Sequence, residues 1–341
     1  MGLRAYIIKR VVYSIVLVFF VMSLNFVIFE LMPGNPIELL AGSGRLRPGQ
    51  PEEILELWGF LEPLHIRYGK YLVNMLSWNF GYSYLSMTPV SSELTGRLAN
   101  TLLLVGTATI LSMIIGILLG VIAAYKRGGI FDSVSVVASL TTYSLPSFWM
   151  GMMLLLAFSF GLHWFPSAGS IPATWAQHWP TPLWSTSLFG TQIIIPSFEE
   201  IVGRLHHLFL PAITLTLFSY GGWLLLTRAT MLEALTEDYV VTARAKGLKE
   251  RTVLLKHALK NAALPLVTSA ALSFGFLLTG AIITEQVFTY PGLGKWIWDS
   301  IAYADYPVMQ AIFFVIALCV IIANFLADLV YGILDPRIKY G

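Results

Sequence analysis

Residues that could do acid–base, metal or phosphate chemistry are few in this chain and poorly spaced for it. The histidines are His65, His163, His178, His206, His207 and His257. None falls in HExxH or another metal-ligand spacing. His206 and His207 are adjacent, so a helix would point them about 100° apart, and they read as an interfacial pair. PGLGK at 291–295 echoes a phosphate loop but lacks its full pattern of glycines, lysine and hydroxyl. The single cysteine, Cys319, lies inside an apolar run and reads as a buried, inert thiol. No catalytic constellation survives, which points away from an enzyme.

What remains is a chemistry of docking. The stretch from Asp238 to Pro265, DYVVTARAKGLKERTVLLKHALKNAALP, is polar and strongly basic, and apolar runs flank it. Its charges are Asp238, Arg244, Lys246, Lys249, Glu250, Arg251, Lys256 and Lys260. Apolar residues recur at Val240, Val241, Ala243, Leu248, Leu254, Leu255, Ala258 and Leu259, a helical rather than a strand spacing. Gly247 interrupts the pattern, which predicts two short helices meeting at a turn. Pro265 marks the start of the next apolar run. Two readings stand for this loop: a surface gripped by a partner, with Arg244, Lys246 and Lys249 as its cations, or a solvated loop that only supplies positive charge on one side of a membrane. Ionisable and amide groups beside apolar spans are the other candidates, because charge is costly in lipid. Glu30 and Glu285 end two such spans and could line a pathway or simply sit at the interface. Asn100 and Asn324 could supply polar contacts in a pore or between helices. Asp328, near the end of the last span, is expected to pair with a basic loop residue and not to touch substrate.

The elements that must position these groups are membrane helices. Of 341 residues, 56% are hydrophobic and 12% charged. Soluble domains carry about a quarter charged residues, so the composition is that of a polytopic membrane protein. The net charge of +2 argues against a nucleic-acid surface. Runs of about 20 apolar residues span a bilayer, and six qualify, roughly 11–32, 98–125, 133–161, 206–228, 263–284 and 307–331. Pro146 interrupts the third, which predicts a kink. Residues 190–198 are apolar but too short to cross. The first run is followed by no small-residue cleavage site and reads as an uncleaved anchor. With the N-terminus inside, 14 of the 21 Lys and Arg face the cytoplasm, including those of the basic loop. The asymmetry puts both termini and the loop on the cytoplasmic side. Two long external segments are expected: one after the first span, opening with PGNP at 33–36 and holding short amphipathic helices between Glu52 and Trp78, and one at about 162–205, rich in Trp and Pro and expected to dock against the membrane or a partner. Its aromatic rings also suit the stacking of sugars.

Within the basic loop, ARAKGL followed by HALKNAALPLVT resembles the EAA loop of binding-protein-dependent ABC importer permeases in its dipeptide/oligopeptide form. Val241 and Thr242 depart from the first two positions of the general motif, while Ala243, Gly247, Leu264 and Pro265 match it. The interval from Gly247 to Leu264 exceeds that of sugar permeases, as is typical of the peptide branch. The resemblance runs over nearly the whole chain: LMPGNP at 31–36, NFGYS at 79–83, LPSFWMG at 145–151, FPSAG at 165–169, LTRATMLE at 226–233, EQVFTYPGLG at 285–294, DYPVMQ at 305–310 and DPR at 335–337. It is nearest to the first of the two paired permeases of such importers.

This resemblance implies an all-α polytopic membrane protein with six transmembrane helices and the type I ABC importer permease fold. Residues 1–97 would form an N-terminal helix plus external amphipathic segment, and 98–341 a five-helix core with a coupling loop at about 232–262. The implied function is that of an inner-membrane permease subunit carrying di- or oligopeptides, with oligosaccharides or nickel as alternative cargo. The implied partners are a second homologous permease, two P-loop ATPase subunits and an external binding protein. ATP and magnesium would be bound by the ATPases and no cofactor by this chain. In that family the loop sits in a groove of the ATPase, where Gly247 would form the turn, Ala243 would allow close docking, and Arg244, Lys246 and Lys249 would meet acids. A reading of a different class, an ion-coupled secondary transporter, predicts charges paired in mid-membrane and an internal repeat. The spans hold almost no charge at their centres.

Overall fold

The computed structural model describes residues 3–31, 62–176, 179–188 and 191–334. Its contacts divide the chain into two compact units, one of residues 1–99 with 292–341 and the other of residues 100–291. Residues 292–341 thus group by contacts with residues 1–99.

In the first unit, α1 (Leu3–Leu31) packs along α10 (Tyr306–Leu334). Both are long and apolar enough to cross a membrane. Polar ties hold them at either end. Arg10, itself in α1, pairs with Asp328 at 3.0 Å, so the partner of this acid is a helix residue and not the basic loop residue expected. Asn25 donates to the Tyr71 hydroxyl at 2.9 Å and to the Gln310 carbonyl at 3.0 Å, which joins α1 to α10 and to α2 (Leu64–Leu76). Helix α2 is amphipathic: Tyr71 and Met75 are buried while Leu64, Val73 and Leu76 are exposed. It falls within the stretch where amphipathic helices were expected; residues 32–61, including PGNP, lie outside the described residues.

Asp305, just ahead of α10, is almost wholly buried. Its carboxylate accepts the Ser83 hydroxyl and the backbone N–H groups of Tyr84 (3.0 Å) and Leu85 (3.2 Å). A buried carboxylate is tolerable only when bonded in this way. The bonds pin the 79–89 loop to the start of α10. Ahead of α10 in the chain lies α9 (Leu293–Ala302), whose Trp296 carries the Arg97 guanidinium over its ring.

The second unit is built around α6 (Phe198–Leu235), capped by the Ser197 hydroxyl, which accepts from Glu200 N. Helix α3 (Val90–Tyr125), whose first turns belong to the other unit, passes close beside it. A Cβ on Gly116 would lie 2.3 Å from Trp223 Cβ and 2.7 Å from the Tyr220 carbonyl, and one on Gly120 2.6 Å from Thr227 Cβ. This GxxxG pair lets two helix backbones approach where lipid offers no hydrophobic drive to pack them. Helix α4 (Ile130–Ser144) meets α6 through Gly221, where a Cβ would fall 2.8 Å from the Ser139 carbonyl.

The third expected span is broken rather than gently kinked. Leu145 is extended (φ −82°, ψ 136°) because Pro146 disfavours helix before it. Helix α5 (Ser147–Leu154), continued by a π-helical turn Leu155–Gly161, leaves at 99° to α4. Two short strands, β1 (Trp184–Leu188) and β2 (Thr191–Ile195), form an antiparallel hairpin with Trp184 opposite Ile195. The all-helical expectation needs this amendment: the apolar run at 190–198 is β-branched at Thr191 and Ile193–Ile195, which favours strand. The surrounding segment docks on its own chain, since Trp175 is buried against Gly203 of α6.

After α6 come α7 (Asp238–Ala245), a short turn Glu250–Thr252, a π-helical segment Val253–Ala258, and α8 (Leu259–Val287). Among the described residues, four helices (α1, α3, α6 and α10) can cross a membrane by length and composition, five if the α4–α5 pair counts as one span. The fifth expected span, 263–284, falls in α8, which is 29 residues long and carries no charge from Ala262 to Thr284. Replacing both Gly116 and Gly120 with leucine is expected to force α3 and α6 apart, at a cost of about 1–3 kcal/mol per site. A detergent thermal melt of the purified transporter should show the lowered Tm, and an unchanged Tm would refute the close approach.

Candidate functional site

The basic loop turns at Gly247 as expected, but only its first leg is a short helix; the second runs on through Val253–Ala258 into α8. Helix α7 begins after Glu237 and turns Val240 and Ala243 inward, both buried. It ends in a Schellman arrangement: Gly247 N–H donates to the Arg244 carbonyl at 2.9 Å and Leu248 N–H to the Ala243 carbonyl at 3.4 Å. Gly247 has φ +74°, the left-handed region that L side chains avoid, yet nothing lies within 4 Å of the place its Cβ would occupy. Within this chain the glycine is needed for its backbone angle, not for space.

The second leg is strapped to the first by Arg244, whose Nη2 donates to Glu250 Oε1 at 2.7 Å. This hydrogen bond also pushes the Arg244 pKa above its ordinary value, despite some opposing desolvation. Val253 and Ala258 then bury themselves beside Val240 and Ala243. The floor beneath is Val121 and Ala124 of α3, Met231 and Ala234 of α6, and Ala262 of α8. The loop is thus seated on the ends of three long helices by small and branched apolar side chains. Its far side exposes Lys246, Lys249, Arg251, Lys256 and Lys260 together with the apolar Val241, Leu248 and Leu255.

A second ion pair stands beside the seat. Asp132, at the start of α4, is 5% exposed and receives two bonds from Arg228 of α6, Nε at 2.6 Å and Nη2 at 2.8 Å. Gly128 N–H adds a third at 2.9 Å. A bidentate guanidinium–carboxylate pair fixes both distance and angle, so it locks the α3–α4 turn to α6 just above the seat.

The sequence-predicted residues therefore part company. Lys246, Gly247 and Lys249 lie at the exposed tip. Arg244 is exposed but already paired within the chain, and Ala243 packs inward, so its small size serves the seat. Pro265 lies inside α8 rather than at its start, because the π-helical Val253–Ala258 segment runs straight into Leu259. The Leu264 side chain lies outside the described residues. Among the pathway candidates, Glu285 is fully buried in the second unit and accepts the Thr101 hydroxyl at 2.7 Å. Asn100, next to Thr101, donates to the Pro291 carbonyl at 2.9 Å. Glu30 and Asn324 belong to the first unit, where Glu30 pairs with Arg67 at 2.7 Å and Asn324 is half-buried in α10. His206 and His207 contact the backbone carbonyls of Trp164 and Gly203.

A family model described as the binding-protein-dependent transport system inner membrane component matches residues 116–340, from the α3 GxxxG through the basic loop. The chain belongs to this family. As a member of it, the chain is a multi-pass protein of the inner membrane. It is 37% identical over 339 residues to the oligopeptide transport system permease protein AppB of Bacillus subtilis (strain 168), covering 99% of this chain and 100% of that one. It is 39% identical over 319 residues to the dipeptide transport system permease protein DppB of Escherichia coli (strain K12), 93% of each chain. A solved structure, the inward-facing MetNI methionine ABC transporter, shares the fold with a TM-score of 0.52 at 16% identity. That match covers 71% of this chain and 96% of the other.

The structure of this family member also shows why its short motifs are spaced as they are. Ser83 of NFGYS bonds Asp305 of DYPVMQ. Gly151 of LPSFWMG and Gly169 of FPSAG both meet Phe288 of EQVFTYPGLG, the first at 3.1 Å from a would-be Cβ and the second by its N–H to the Phe288 carbonyl at 3.2 Å. Arg228 of LTRATMLE bonds Asp132. That acid went unremarked in the sequence, where only its first-turn position hinted at a role.

Replacing Asp132 with asparagine leaves Arg228 without a counter-charge and is expected to cost about 3 kcal/mol; Arg228→Lys should cost less. Chemical unfolding of the two variants in detergent checks the order. Gly247→Ala should destabilise only the loop, by about 1–2 kcal/mol, which faster amide exchange at Ala243–Leu248 with an unchanged global melt would register.

Proposed function

We propose that this chain forms one half of the translocation pathway of an ATP-driven importer of di- and oligopeptides. It pairs with a second homologous permease, receives cargo from an external binding protein, and is driven by two P-loop ATPase subunits that bind the ATP and magnesium. The chain itself catalyses no reaction. Both termini and the basic loop face the cytoplasm, as the distribution of Lys and Arg supports. The observation that carries the reading is the shape of the loop: a glycine-turned, cationic knuckle with exposed Val241, Leu248 and Leu255, mounted on the ends of α3, α6 and α8. Such a patch of cations around apolar side chains suits an acidic groove on a partner. Because the knuckle is packed on three helices, a push upon it moves their ends together. Closure of the ATPase pair would reach the pathway in that way.

The peptide cargo is taken from the relatives, whose names are those of oligopeptide and dipeptide systems. Sugars as cargo gain little from the aromatic segment, since Trp175 and Trp179 pack on one another at 5.5 Å and on α6.

The reading is checked with the complete transporter in proteoliposomes, driven by ATP and supplied with its binding protein and a labelled dipeptide. Gly247→Trp, which misshapes the knuckle, should lower transport about tenfold or more, as loss of about 1.4 kcal/mol of coupling would, while ATP still binds. Transport and its ATPase coupling surviving that substitution intact would refute the knuckle. Calorimetric titration of the binding protein with short peptides and with β-linked oligosaccharides decides the cargo: binding of sugars alone would overturn the peptide reading and leave the coupling mechanism standing.

A further inference from the structure

The first unit holds a cavity of about 490 Å³ between the end of α1, helix α2, the 79–84 loop and the start of α10. That volume is in the range of small-molecule sites, about 300–1,000 Å³. Its walls are unusual for the surface of a membrane helix pair. They carry two acids and two bases, Glu30, Glu62, Arg67 and Lys70, beside aromatic rings that include Tyr71 and Tyr82. Each base is already bonded to one acid: Arg67 to Glu30 at 2.7 Å and Lys70 to Glu62 at 2.6 Å. Both pairs are partly exposed, with Lys70 61% and Glu62 33% accessible, so an incoming ligand can exchange partners with them.

One atom points to what that ligand is. Glu62 Oε2 is buried and has no hydrogen-bond partner among the described residues, although its sister oxygen holds Lys70. A shielded carboxylate oxygen without a donor is costly, and the donor that best relieves it is cationic. Lys70, on the opposite charge, can in turn take an anion. The cavity therefore offers one place for a positive group and one for a negative group, with rings between. Tyr71 contributes a hydroxyl that stays protonated, because burial pushes its pKa up to about 12.

We propose that this cavity is a binding site for a small zwitterion, a free di- or tripeptide, whose ammonium is taken by Glu62 and whose carboxylate is taken by Lys70 and Arg67. An apolar or aromatic side chain of the peptide rests against Tyr82, which is half exposed. The site deepens the peptide reading above and rests on it for the choice of zwitterion. It lies apart from the basic loop and gives the permease its own recognition of cargo ends. A neutral polyol satisfies the amides of the cavity but makes no use of its four charges.

The test uses the complete transporter in nanodiscs without its binding protein, and saturation-transfer NMR with phenylalanyl-alanine, its N-acetyl amide, and cellobiose. The free dipeptide should bind, blocking both termini should weaken binding about tenfold or more, and cellobiose should not compete. Glu62→Gln, which keeps size and shape, and Lys70→Gln, on a largely exposed side chain, should each weaken the dipeptide about tenfold, with assembly checked by gel filtration. Absence of dipeptide binding, equal binding of the blocked peptide, displacement by cellobiose, or binding untouched in both variants would each overturn the site. Uptake of the same dipeptide by the wild-type transporter with its binding protein is measured in parallel. Uptake without cavity binding sinks the cavity alone, whereas cavity binding without uptake sinks the peptide-import reading.

Discussion

The distance between α3 and α6 is the constraint on which the second unit depends. In a hydrocarbon layer there is no hydrophobic gain from placing one apolar helix on another, so the helices hold only where their backbones come close enough for dispersion to act over a long seam. Gly116 and Gly120 provide that closeness on α3, and Gly221 provides it on α6 toward α4. At one end of the seam Leu104, Val105 and Ala108 join Leu208, Leu210, Ala212 and Leu215 in a buried cluster that also holds Phe288 and Tyr290. At the other end Val121, Ala124, Met231 and Ala234 become the seat of the basic loop. A change in helix spacing at one end is therefore felt at the other, because both clusters share the same two rods.

Charge is handled with the same economy in each unit. Two buried carboxylates, Asp132 and Asp305, stand where the chain is pinned, and each is given several donors. Asp132 takes two bonds from Arg228 and one from Gly128, while Asp305 takes the Ser83 hydroxyl and two backbone N–H groups. Both stand at the start of a helix, where the backbone dipole also favours negative charge. The loop follows a different rule. Arg244 is spent on Glu250 to close the knuckle, and the remaining cations are left in solvent around apolar side chains. The first kind of charge holds the fold together, and the second faces solvent.

How much of this was legible differs from residue to residue. The turn at Gly247 followed from its place between two helical patterns, since few residues but glycine accept φ near +74°. The break at Pro146 followed from the missing N–H and the crowding of Leu145. Its size, 99°, did not, because the bend is set by what α5 packs against. Ala243 illustrates the limit: a small residue in a docking loop can be small for the partner or for its own chain, and periodicity does not say which. Here it faces inward. The β-hairpin at 184–195 was hidden because a short apolar run between polar turns reads equally as strand or as a fragment of a span. The GxxxG of α3 lay in plain view, yet two glycines in an apolar helix become a contact only when a partner helix is known.

By itself the sequence determined the class: a chain this apolar and this poor in charge must put its long runs across a bilayer, because no aqueous fold could bury them. It also determined where the one large basic surface would be, since charges excluded from the spans must gather between them. The tertiary structure alone decided which distant residues meet, Asp132 with Arg228, Ser83 with Asp305, and Gly151 and Gly169 around Phe288. Those pairings depend on how helices approach and rotate against one another. That choice is made by packing over whole helix faces, and no local pattern in the chain records it.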